Sequence, residues 1–386
     1  MTALLPALTA LLALAFAVML VDQWRERRRG FQLVWAFGML AYAIGAGAEA
    51  LAAIGGWNEA LYRSWYLTGA VWTAAWLGLG TAFLLGRTRF GYTYAFLLLL
   101  SGLIALMIRN DPRYDGAGPL PLLYLIGAVI LALAIGVETY FGNERWPRFA
   151  AGAIVATTIL SVVLMLATPA LPAPGYALSP ATGQPVGDAM PGHLRLLTPV
   201  MNVPGALSLL LGAAFSAYVF MPKRRVLPYS LDADQPGDQF LFNLCIAPFA
   251  ILVNLAASLP GALRDLAAGR LHSRVPATML IAIGAFFPTI TDSLSRLGST
   301  ELFQLGKFLG VVFLFAGFLV SVEVFREIRI PFTGIRLGVA RREAARRRDA
   351  AAAAIHEATG ERSAAGPAGI ADPAGTTPPT RDPGRA

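Results

Sequence analysis

Five ionisable side chains fall inside long apolar stretches of this chain: Glu49, Glu138, Asp292, Lys307 and Glu323. A charge in a hydrocarbon surrounding costs about 2.5–3.5 kcal/mol even on permissive insertion scales, so each is a functional-site candidate by default. Asp292 and Lys307 offer the sharpest chemistry. Asp292 follows Pro288 in the polar series Thr289, Thr291, Asp292, Ser293. If the backbone is broken there, hydroxyls, carbonyls and one carboxylate would converge on a cation or small polar solute. The bland alternative is a buried Asp292–Lys307 pair that only fixes the fold.

Asn243 and Asn254 extend that hypothesis. With Ala247, Ala250, Ala257 and Ser258 they share one face of a helical stretch, a polar face that either packs on another helix or borders a cavity. Asp292, Lys307, Asn243, Asn254, Thr289 and Thr291 therefore form the candidate substrate or ion pathway. Glu49 and Glu138 are the buried acidic candidates. Tyr42 and Tyr124 recur at helical spacing from them, which keeps an acid–base enzyme open. Arg63, one short loop away, is the expected partner of Glu49.

Other chemistry is excluded by what the chain lacks. Cys245 is the sole cysteine, so no internal disulfide or thiolate cluster exists. His193, His272 and His356 lie outside the apolar stretches, and there is no HExxH pair and no GxxxxGK[ST] loop. No metal or cofactor is expected. Basic residues outnumber acidic ones 31 to 23, and all but Lys223 and Lys307 of them are arginine. In an apolar chain that excess records membrane topology rather than a nucleic-acid partner. The alanine and arginine bias points to a GC-rich bacterial genome.

The elements that must position these residues are transmembrane helices. The 386 residues are 56% hydrophobic and 14% charged, against roughly 25% charged in soluble proteins. Apolar runs occupy Leu4–Val21, Phe31–Ile54, Trp65–Leu85, Tyr92–Ile108, Leu120–Phe141, Phe149–Ala167, Val200–Phe220, Phe240–Leu259 and Leu302–Phe325. A spanning helix needs about 20 such residues. No basic residue precedes the first run, so it reads as a span rather than a signal peptide. Arg25–Arg29, Arg87 with Arg89, Arg145 with Arg148, and Lys223–Arg225 alternate with connections poor in positive charge. The alternation places the amino terminus outside and the carboxyl terminus in the cytoplasm of a cell membrane.

Counting crossings then requires that one of the last three apolar stretches fail to span. The shortest, Pro276–Thr291, contains Gly284 and Pro288 and is the one expected to be re-entrant or interfacial, leaving residues 276–298 uncrossed. The expected fold is an all-α polytopic bundle of about nine spans plus that segment, with ten spans as the alternative. Residues 1–335 form the transmembrane domain, 336–359 a basic juxtamembrane helix, and 360–386 a disordered tail too polar to bury a core. The arginine-rich carboxyl-terminal segment should meet anionic lipid. Gly306, Gly310 and Gly317 form a small-residue ridge suited to helix packing or to a homo-oligomer or membrane complex. Trp65, Trp72 and Trp76 fall on one face at α-helical spacing. Transport of an ion or small polar solute is the leading reading, a non-enzymatic sensor, scaffold or complex subunit the alternative. An intramembrane enzyme for a lipid or isoprenoid comes third.

Overall fold

The structure is a computed structural model and describes residues 3–172, 189–227, 240–268, 274–296, 301–320, 328–329 and 336–337. Residues 1–326 form one compact unit of helices. They are α1 (Leu4–Arg27), α2 (Gly30–Gly55), α3 (Glu59–Trp65), α4 (Thr73–Leu84), α5 (Phe90–Met107), α6 (Leu120–Tyr140), α7 (Trp146–Ala167), α8 (Gly192–Phe220), α9 (Phe240–Ala267), α10 (Arg274–Arg296) and α11 (Glu301–Val320). A π-helical segment, Tyr66–Trp72, joins α3 to α4 in one continuous rod. Among the described residues, eight helices are long and apolar enough to cross a membrane: α1, α2, the α3–α4 rod, α5 to α8, and α11.

Local chemistry sets the boundaries. Arg28, at φ 52°, ends α1, with its N–H donating to the Trp24 carbonyl. Gly56, at φ 83°, ends α2, a left-handed φ that glycine adopts without strain. Asn58 then caps α3 by accepting from the Leu61 N–H. Pro121 and Pro147 sit in the first turns of α6 and α7, where an N–H would lack a helical partner anyway. The bundle is apolar outside as well as inside: Ile54, Met107, Ile130 and Leu166 are all more than half exposed. Exposed apolar area of that extent marks a surface meant for lipid or protein.

Contacts between helix ends define two ends of the bundle. The Trp146 Nε1–H donates to the Gly86 carbonyl at 3.0 Å, bringing the start of α7 to the end of α4. Gly91, at the start of α5, packs on Thr139 near the end of α6. Gly212 of α8 meets Thr81 of α4. These are the arginine-bearing ends. At the opposite end, rich in Trp57, Tyr62, Trp65 and Tyr66, Arg63 reaches the last carbonyls of α7, and Gly192 at the start of α8 packs on Tyr114 and Asp115.

Two elements differ from the sequence-based expectation. Residues 274–296 form one continuous helix through Pro288, about 34 Å long at 1.5 Å per residue, so the backbone is not unwound at Thr289–Ser293. It lies antiparallel against α11. Gly284 meets Leu314 and Gly310, and Gly317 meets Ala277 and Ile281. Those glycines let the two backbones approach closely over residues 277–288 and 310–317.

The carboxyl-terminal half of α9 packs on the segment that follows α8. Asn254 and Ser258 bind the connection just after α8, Gly261 packs on Pro222, and Ala262 joins Tyr218, Met221 and Val275 in one cluster. The chain therefore leaves α8 and enters α10 at the same, arginine-bearing end. Among the described residues, α9 is not one of the eight helices long and apolar enough to span, and the apolar part of α10, Arg274–Pro288, is shorter than a span.

The second unit, residues 327–386, is described only at Ile328–Arg329 and Arg336–Leu337, which pair as two antiparallel strands. The rest of the expected basic helix over 336–359 and the tail 360–386 lie outside the described residues, as does Glu323.

Candidate functional site

Lys307 is joined to Glu49, while the side chain of Asp292, its expected partner, lies outside the described residues. Its Nζ lies 2.6 Å from Glu49 Oε1 and 2.7 Å from Oε2. The two helices present these groups at matched depth: Glu49 is six residues before the end of α2 and Lys307 six after the start of α11. Glu49 is 4% exposed and the Lys307 side chain 13%.

Two further donors complete the carboxylate. The Trp65 Nε1–H donates to Oε1 at 2.7 Å, and the Gln304 amide to Oε2 at 3.0 Å. Gln304 precedes Lys307 by three residues, so both occupy one face of α11. A carboxylate has about four acceptor positions, and here each oxygen receives two hydrogen bonds. Tyr42, two turns below Glu49 on α2, donates its hydroxyl to the Lys307 backbone carbonyl at 3.1 Å. The ammonium also lies 5.0 Å from the Phe303 ring centroid, a cation–π distance. Close approach is permitted by Gly45, whose added Cβ would come within 2.9 Å of the Gly69 Cα.

Trp65 reaches Glu49 because the rod is π-helical just after it. The Thr73 N–H donates to the Thr68 carbonyl, five residues back. Each such ring takes in one extra residue, so Trp65 is rotated away from Trp72 and Trp76. Trp72 and Trp76 instead donate to Ser161 Oγ at 2.9 Å and Thr158 Oγ1 at 3.2 Å, both on α7. The tryptophan stripe expected from α-helical spacing is therefore divided between two neighbours. Asn202 of α8 donates to the Ala70 carbonyl at 2.7 Å, supplying a partner within the π segment.

Arg63, the expected partner of Glu49, has another task. It bonds Glu59 at 2.8 Å and donates to the carbonyls of Met165, Thr168 and Pro169 at 2.5, 3.0 and 2.7 Å. Those groups end α7, so Arg63 acts as a carboxyl-terminal cap supplied in space rather than in sequence.

The six pathway candidates do not form one described cluster. Lys307 lies toward the aromatic end, while Asn254 is at the arginine-bearing end with its amide committed to residues 226 and 227. Asn243 is on α9, and Thr289, Thr291 and Asp292 are on α10, with side chains outside the described residues. On α6, Tyr124 Oη and Glu138 Oε2 are buried without a hydrogen-bond partner. Fourteen residues of helix separate them by about 21 Å, too far for joint acid–base work. Tyr42 bonds Lys307 rather than Glu49. Gly310 and Gly317 of the small-residue ridge are covered by α10 of the same chain.

Gln304 is the member of the cluster that sequence reading passed over. Its signal was available: a second polar residue one turn from Lys307, at the same depth as Glu49. Among the described residues, no group of three or more His, Cys, Asp or Glu could hold a metal ion.

Fold and buried cluster together define a polytopic helical bundle with the composition and length of a membrane protein. No family model matches the chain, and comparison with curated proteins and with solved structures likewise finds no match.

Proposed function

We propose that the protein is a non-enzymatic sensor or scaffold of the cell membrane, in which the Glu49–Lys307 clasp fixes the α10–α11 hairpin against α2. The saturation of the Glu49 carboxylate carries this reading: all four acceptor positions are filled by Lys307, Trp65 and Gln304, leaving none for substrate. With the arginine-bearing end in the cytoplasm, the clasp sits toward the outer surface. Opening it would free the outer half of α11, while Phe318 stays held between Phe16 and Trp35 at the inner end.

Hydrogen exchange on the full chain in lipid nanodiscs tests this. Glu49→Gln should raise exchange over residues 301–310 and leave 311–320 protected, and adding Lys307→Met should return it toward wild type. Unchanged exchange over 301–310 in Glu49→Gln would remove the clasp from any role in holding the hairpin.

Transport of an ion or small polar solute is the second reading. One observation favours it: Gln304 Oε1 is buried beside the carboxylate without a hydrogen-bond partner. Sodium, potassium and proton flux into proteoliposomes decides between the two. A flux supported by wild type and lost in a well-folded Glu49→Gln variant would replace the sensor reading with transport.

A further inference from the structure

Where the rod meets α7, two indoles are paired with two hydroxyls: Trp76 donates to Thr158 and Trp72 to Ser161. Seven residues further along each helix stand Trp65 and Thr168, and both steps measure about 10.5 Å at 1.5 Å per residue. Thr168 Oγ1 donates to the Leu164 carbonyl at 2.7 Å, as Ser161 Oγ does to the Thr158 carbonyl at 2.6 Å, so each hydroxyl oxygen is left to accept. The π-helical segment, Tyr66–Trp72, keeps the third indole off the third hydroxyl and on Glu49 instead.

The bonds that hold this segment have α-helical equivalents. Thr73 gives both its N–H and its hydroxyl to the Thr68 carbonyl, five residues back, the hydroxyl at 2.9 Å. Thr9, Thr81 and Thr139 make the same hydroxyl bond to the carbonyl four residues back. Moving Thr73 from Thr68 to Gly69 therefore loses no bond in kind. A Cβ added at Gly69 would meet the Gly45 Cα at 3.7 Å, ordinary contact, so the alanine that follows fits the same place.

We propose that the rod is a two-position switch that regulates the Glu49–Lys307 clasp. In the second position residues 66–72 are α-helical and α3 is turned by roughly 100°, the angle of one residue, so each side chain of α3 gives its place to the next. Trp65 then continues the ladder onto Thr168. Tyr66 leaves Thr198, which it meets at 3.1 Å in the first position, and brings its hydroxyl to Glu49. Arg63 leaves the carbonyls of Met165, Thr168 and Pro169, which only the first position lets it cap. A partner or ligand that draws Arg63 away from the end of α7 thereby takes the indole from Glu49. The inference rests on the reading of the Glu49 cluster as a clasp.

Fluorine NMR of the full chain in lipid nanodiscs tests the proposal, with 5-fluorotryptophan at all seven indoles and the Trp65 signal assigned by Trp65→Phe. Arg63→Gln removes the ties to the end of α7, and Asn202→Leu removes the tie to the Ala70 carbonyl. Each should raise a second Trp65 signal about three- to tenfold over wild type, the effect of one lost hydrogen bond, while the Trp72 and Trp76 signals keep their places. Adding Thr168→Val, which takes away the waiting acceptor, should lower the second signal again. A single, unmoved Trp65 signal in both variants would overturn the switch. So would a second signal that Thr168→Val leaves undiminished, or Trp72 and Trp76 signals that shift with it, because the segment would then be melting rather than turning. Loss of the clasp reading shows elsewhere, as unchanged exchange over 301–310 in Glu49→Gln, whatever the indole signals do.

Discussion

Removing one charge of the Glu49–Lys307 pair should cost far more than removing both. Lys307→Met leaves a carboxylate that is 4% exposed with only the Trp65 and Gln304 donors. Glu49→Gln keeps the size of the side chain but strands an ammonium whose remaining company is an amide and the Phe303 ring. Breaking a buried pair by deleting one member typically costs about 3–5 kcal/mol, and both groups are buried enough that water screens little of it. The lower end, about 3 kcal/mol, applies to each single change because hydrogen bonds remain. The double variant Glu49→Gln/Lys307→Met buries no charge and loses the pair's hydrogen bonds, a net cost of about 1–2 kcal/mol. Unfolding in mixed micelles, followed by helicity, measures all four proteins. The singles should fall by about two orders of magnitude in folding equilibrium, and the double should lie well above either. Single variants within about 0.5 kcal/mol of wild type, or a double variant equal to the sum of the singles, would refute the burial argument.

Three further outcomes are expected. In a Cys245→Ala background, single cysteines at Arg225 and Arg264 should react from one side of the membrane and one at Arg296 from the other; labelling of all three from one side would contradict a lengthwise α10. Gly284→Ala should destabilise by about 1–3 kcal/mol, since the new Cβ would lie 2.6 Å from the Leu314 amide nitrogen, while Gly127→Ala on α6, which meets nothing within 4 Å, should be neutral or slightly stabilising in the same unfolding assay. Asp111 accepts from the backbone and side chain of Arg113, which hold its carboxyl down at about 2. A depressed folded-state value stabilises the turn above the ordinary carboxylate range and is lost as pH falls toward 2, so the protection of the 111–115 amides relative to their intrinsic exchange rates should fall across that window in wild type and not in Asp111→Asn.

Much of the bundle was legible because hydrocarbon imposes a simple rule on sequence. Apolar runs of span length gave the helices, and the arginine alternation separated their ends. Crossing arithmetic even required that one late stretch turn back. How the late helices pack on one another depended on tertiary facts that hydropathy does not carry. Phe240–Leu259 reads as a span, yet Asn254 and Ser258 are satisfied by the backbone of residues 224–227. Pro276–Thr291 reads as broken at Pro288, yet the helix continues through it, and Gly284, Gly310 and Gly317 seat it along α11. The partner of Glu49 was misassigned to Arg63 because proximity in sequence was the available guide, and Lys307 is 258 residues away. Matched depth in the bilayer was the better signal, and it was present in the numbering.

The π-helical stretch after Trp65 carries a consequence for how this chain tolerates changes in length. An α-helix advances about 100° per residue, so deleting one residue between Tyr66 and Trp72 would turn everything before it by roughly that angle relative to everything after. The loops at either end of the rod would scarcely register such a loss. The indole of Trp65 would swing out of reach of Glu49, or else Trp72 and Trp76 would leave Ser161 and Thr158. Length changes that loops elsewhere absorb easily are thus forbidden along these seven residues, where the count itself keeps two sets of neighbours in phase.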